Sequence, residues 1–229
     1  MIVLFNIDIR QAYSTLFATL WQMASWGLIA SLYSLLFVIS GSAQRKTSKI
    51  SQQDALSILV AFGVGAAMHL HFVYLANPYM TVLWQPFPLV MGLAQYISRN
   101  LFSSMAMSTA SGHGTIIAAY ALTFLASAPF HLALVLPNLS IANIVEWASS
   151  LEPVSAETGS LEEIMTLILK WDLPIGSSAL LLTSLWFAKS FRQFFALAIA
   201  VIGGTAIVGP AATLSGILIW REAKFSRQS

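Results

Sequence analysis

Residues 167–187 read LILKWDLPIGSSALLLTSLWF. The run is mostly apolar and has about the 20-residue length a helix needs to cross a bilayer, yet it carries Lys170 and Asp172. A carboxylate at membrane depth costs about 3 kcal/mol on insertion scales unless it is paired, hydrated or protonated. Two readings of Asp172 follow. In the first, Asp172-Leu173-Pro174 starts a helix, with Asp172 as its N-cap and Pro174 in the first turn. In the second, Asp172 lines a cavity, where low dielectric disfavours the charged form and the acid holds a proton to deliver.

The rest of the chain has the same solvent preference. Of 229 residues 57% are hydrophobic and only 9% charged, against roughly 25% charged in soluble domains. The expected fold is therefore all-α, a polytopic transmembrane helix bundle. Backbone polar groups in lipid must be satisfied within each segment, and no alternating barrel strands are present. A single domain over 1–229 is expected, with spans at about 16–40, 54–76, 79–98, 115–136, 164–188 and 194–220, and a seventh if 137–171 crosses. The first apolar run is longer than a signal-peptide core and lacks a basic lead, so it reads as a span.

Local signals refine these spans. Asp54 is placed to cap the second, and Gly63 and Ala67 form a small-residue pair for close helix packing. Trp84-Gln85-Pro86-Phe87-Pro88 puts two prolines in the third span, which removes backbone donors and predicts a kink. Pro129 predicts another in the fourth, and Gly203, Gly204, Gly209 and Pro210 a bend in the sixth. Residues 161–171 read either as a short interfacial helix or as the first turns of a long fifth span. The basic residues Arg45, Lys46, Lys49, Arg99, Lys189 and Arg192 fall on one side, and Arg10, Lys170, Arg221, Lys224 and Arg227 on the other. That near balance leaves the orientation open.

Several chemistries are excluded. The chain has no cysteine, so thiolate nucleophiles, disulfides and Cys-based metal sites are absent. Asp occurs only at positions 8, 54 and 172, so no Asp-rich cluster binds magnesium diphosphate. His69 and His71 are two apart and point to different sides of a helix, so no metal site is expected. The scattered basic residues give no nucleic-acid footprint. Glu146, beside Trp147, reads as an interfacial acid or as a second acid at a cavity mouth. His131 reads as a satisfied interhelical hydrogen bond or as a terminal base. Trp84, Tyr120, Trp171 and Trp186 read as core or belt residues, or as rings that stabilise a cation.

The signature Leu83-Trp84-Gln85-Pro86-Phe87-Pro88 resembles the WQPFP element of fungal integral-membrane terpene cyclases in meroterpenoid secondary metabolism, of the ascochlorin and ascofuranone type. Leu169-Lys170-Trp171-Asp172 with Leu173-Pro174-Ile175-Gly176-Ser177 and Leu185-Trp186 is similar to a second element of that family, and Phe130-His131-Leu132 to a third. The resemblance implies a cofactor-free cyclase of the isomerase or lyase class. Its acid protonates an epoxide or alkene of a farnesyl-type chain, and the carbocation cyclises along aromatic walls. It implies Asp172 as the acid, Glu146 as the alternative, and Trp84, Gln85, Tyr120, His131 and Trp186 as pocket lining. The implied partners are a prenylated substrate arriving from the lipid, the membrane lipids, and an upstream prenyltransferase or epoxidase, with the endoplasmic reticulum as the expected membrane. Lys170 opposes this if it pairs with Asp172. The competing readings are a non-enzymatic carrier or scaffold, and a membrane isomerase of sterol-like lipids.

Overall fold

The computed structural model describes the chain except for residues 1–10, 45–49, 76–78, 80–81, 83–84, 104–109, 153–158 and 227–229. Among the described residues are the helices α1 (Gln11–Met23), α2 (Trp26–Ile39), α3 (Gln52–Leu75), α4 (Phe87–Phe102), α5 (His113–Phe130), α6 (Ile141–Ser149), α7 (Leu161–Ser184), α8 (Phe191–Val208) and α9 (Pro210–Ser226). No strand occurs among them beyond an isolated Ser51–Ser111 bridge. Among the described residues four stretches can cross a membrane by length and composition: Gln52–His71, His113–Asn138, Leu161–Phe187 and Phe191–Val208.

The chain divides into two compact units, 1–23 with 45–122 and 218–229, and 24–44 with 123–217. In the first unit α3 packs along α4, and α1 also meets α4. The Trp21 and Phe87 rings meet edge to face at 6.5 Å. The cap of α3 is Ser51, not Asp54. Ser51 Oγ accepts from the Asp54 N–H at 3.1 Å and donates to Asp54 Oδ2 at 2.8 Å. That leaves Asp54 Oδ1 to take Arg99 Nε at 2.7 Å. Gly63 has nothing within 4 Å of where a Cβ would stand, so the expected packing pair at Gly63 and Ala67 is not the contact. Gly65 faces Met91 of α4 instead. Pro86 and Pro88 stand at the start of α4, where a missing N–H costs no helical bond. Where a kink within the third span was expected, a helix therefore begins; residues 76–78, 80–81 and 83–84 before it lie outside the described residues.

In the second unit α2 packs along α7. In hydrocarbon such contact rests on close packing more than on the hydrophobic effect. Gly176 permits it, because a Cβ there would overlap the Trp26 indole. Further along, Phe37 meets Phe187 edge to face at 6.4 Å. Ser160 starts α7 with a capping box: its Oγ accepts from the Glu163 N–H at 3.2 Å, and its own N–H donates to Glu163 Oε2 at 2.8 Å. The helix then runs unbroken through Pro174 to Ser184. Asp172 is therefore mid-helix and does not cap its own helix.

Two expected spans are divided. The 16–40 run breaks at Ser25, whose backbone is extended (φ −162°, ψ 138°) and whose Oγ accepts from Leu28 N–H at 3.1 Å. The 194–220 run breaks rather than bends at Gly209, where φ 88° and ψ 163° are open almost only to glycine. In the fourth span, where a kink was expected at Pro129, α5 runs through Pro129 and passes into a π-helical turn over His131–Val135. The 137–160 region, expected as a loop, contains α6, capped by Ser140 accepting from Asn143 N–H at 3.1 Å.

Candidate functional site

Asp172 sits half-buried two residues before Pro174, on the face of α7 turned to α2. The break at Ser25 leaves the first N–H groups of α2 without helical partners, as at any helix start. Asp172 satisfies them from 145 residues away. Its Oδ2 accepts from Trp26 N–H at 2.9 Å, and its Oδ1 accepts from Gly27 N–H at 2.8 Å and from the Ser25 hydroxyl. The carboxyl group thus caps a neighbouring helix, at the positive end of that helix's dipole. A carboxylate has about four acceptor positions. Three are used by these bonds, and the remaining one is on Oδ2.

Aromatic surface borders this cradle. Trp26 packs against Gly176 one turn beyond Asp172. Trp171 is half-exposed, and its indole N–H donates to the Leu151 carbonyl at 3.2 Å, just past α6. Glu146 lies on α6, exposed. The ion pairs among the described residues join Arg99 to Asp54 and His113 to Glu222, so Lys170 is not bonded to Asp172.

His131 opens the π-helical turn. Its Nε2 lies 3.1 Å from the Ala206 carbonyl, which can only accept, so Nε2 carries the hydrogen. Ala206 is in the last turn of α8, where carbonyls lack helical donors. The ring also fills the space that a Cβ on Gly209 would need. His131 therefore closes the end of one helix as Asp172 closes the start of another.

The other expected site residues are spread. Tyr120 is buried in the first unit. Gln85 is exposed in the same unit, and Trp84 lies outside the described residues. Trp186 shares α7's axis with Asp172 but stands fourteen positions on, about 20 Å away at 1.5 Å per residue. The two do not meet at one point. The sequence reading missed Glu222, which sits in a basic stretch (Trp220-Arg221-Glu222-Ala223-Lys224) and reads as solvated. It is 1% exposed, and its Oε2 is 2.8 Å from Nδ1 of His113, itself 2% exposed. Phe225 covers the pair, its ring 6.5 Å from that of His113 and 5.1 Å from the Arg221 guanidinium. No local signal marks this pair, because its members are 109 positions apart.

The CtvD-domain family model matches residues 5–224, almost the whole chain. The chain belongs to the CtvD family. No curated protein and no solved structure matches it. CtvD membership is consistent with the resemblance to meroterpenoid cyclases and with a role in meroterpenoid biosynthesis.

Proposed function

We propose that this CtvD-family chain is a membrane-bound, cofactor-independent terpene cyclase acting on a farnesyl-type epoxide or alkene, with Asp172 as the acid. The observation that carries the reading is the cradle around Asp172: three donors fixed on a carboxyl group that keeps one position, on Oδ2, for a proton. For an epoxide, the proton passes from Oδ2 to the ring oxygen, a C–O bond breaks, and the electron deficit moves into the prenyl chain as C–C bonds form. The charge left on Asp172 meets donors already in place, so no reorganisation is needed as it develops. Trp26 and Trp171, beside the acid, offer ring faces to the cation. The cyclase reading requires that water be kept from the cation, since early capture would end the cascade.

A base must finally take a proton from carbon. With Nε2 of His131 committed to Ala206, the lone pair of the neutral ring is on Nδ1, and His131 is proposed for this step. Glu146, exposed on α6, is the second acid of the reading. An upstream epoxidase or prenyltransferase in the same membrane, proposed as the endoplasmic reticulum, would supply the substrate.

The three hydrogen bonds also favour a second reading. In it Asp172 is only the cap that permits a broken helix, and the chain is a carrier or scaffold. Microsomes bearing the chain, fed an epoxy-farnesyl aromatic and assayed by mass spectrometry, separate the two. A cyclase gives an isomeric product of unchanged mass. A scaffold leaves the substrate untouched across a panel of prenylated epoxides and alkenes.

A further inference from the structure

Where α7 ends and α8 begins, an apolar cleft of about 360 Å³ opens, lined by Trp186, Phe191, Phe194, Leu185, Gln44 and Ser190 among others. That is within the roughly 300–1,000 Å³ of small-molecule sites. Behind its aromatic wall Phe195 meets Phe191 edge to face at 4.8 Å and Phe194 at 5.8 Å. Two stretches long enough to cross a membrane stop and start here, Leu161–Phe187 and Phe191–Val208. With both stretches in a bilayer the cleft stands at a membrane–water boundary, a level that suits half-exposed tryptophans such as Trp186 (46%).

The segment that lines the cleft carries two cations in its sequence. Lys189 and Arg192 interleave with the lining residues Ser190 and Phe191, and both are exposed. Neither is in an ion pair among the described residues. Between Glu163 and Glu222 the only acid in the sequence is Asp172, about 20 Å away along α7. A neutral prenyl epoxide would fill the apolar part and leave both charges unanswered. An anionic amphiphile answers both parts at once, since a phosphate takes the forked donors of arginine and the point charge of lysine.

We infer that this cleft binds an anionic phospholipid of the surrounding membrane, with an acyl chain against Trp186, Phe191 and Phe194 and the phosphate on Lys189 and Arg192. The assignment stands apart from the cyclase reading and uses none of its residues at Asp172.

The test is native mass spectrometry of the detergent-purified chain, titrated with phosphatidylserine or with phosphatidylcholine of the same acyl chains. Phosphatidylserine should bind roughly tenfold more tightly. Lys189→Ala/Arg192→Ala, both at exposed positions, should bring the two lipids level without changing the melting temperature. Phosphatidylserine with brominated acyl chains should quench fluorescence in the wild type, and Trp186→Phe should remove that component. Asp172→Asn should leave lipid binding unchanged, whatever it does to turnover. Equal binding of the two lipids by the wild type overturns the assignment. So does a preference that survives the double variant, or displacement of phosphatidylserine by a neutral prenylated epoxide, which would give the cleft to substrate.

Discussion

Asp172 holds three donors, and the consequences of removing it depend on what replaces it. Asp172→Ala orphans the Trp26 and Gly27 N–H groups and the Ser25 hydroxyl. At about 1–3 kcal/mol for each unsatisfied buried group, the loss amounts to several kcal/mol. Asp172→Asn keeps one oxygen, which can retain Ser25 and Gly27 while the amide nitrogen faces Trp26 N–H. Its destabilisation should be smaller, about 1–3 kcal/mol. Thermal melts of the two variants in the same detergent check this, and an Ala variant as stable as Asn would contradict the cap. The sequence made Asp172 conspicuous through the cost of an acid in an apolar run. It left its partners hidden, because a cap supplied by another helix has no spacing signature. The Asp-Leu-Pro pattern pointed to a helix start, but Ser160 and Glu163 start the helix earlier with both halves of a capping box.

At the scale of elements, hydropathy found the apolar stretches but not the points where they break. One serine hardly changes the average over 16–40, and one glycine hardly changes it over 194–220. At each break a distant polar side chain meets the helix end, Asp172 at α2 beside the local Ser25 cap and His131 at α8. This is how discontinuous helices survive in lipid. Gly209 carries the second break, with φ 88° and the His131 ring against its Cα. Gly209→Ala should cost about 1–3 kcal/mol in backbone strain, with the displacement of His131 added. A lowered melting temperature checks it. An unchanged one would mean that the α8–α9 junction relaxes freely.

Across the molecule, all-helical architecture and membrane character followed from composition, because a chain this poor in charge has few other folds in lipid. The stabilising pair of the first unit did not follow. His113 and Glu222 come from α5 and α9, and both are nearly inaccessible. Glu222→Ala should cost about 1–3 kcal/mol, because it removes the buried oxygen that Nδ1 of His113 meets. Replacing both residues with leucine should cost less than that single change, since a matched apolar substitution avoids an uncompensated polar group. Melting temperatures of the two variants test the order, and a double variant worse than the single would contradict it. The proposed function rests on the carboxyl group of Asp172 in the second unit. The most direct test is isomer yield per unit of folded protein, measured by mass spectrometry for the wild type and Asp172→Asn on one epoxy-farnesyl substrate. The account predicts a product of unchanged mass from the wild type and none from the variant, because an amide has no acidic proton to give. Equal yields from both would show that Asp172 holds α2 in place and takes no part in the chemistry.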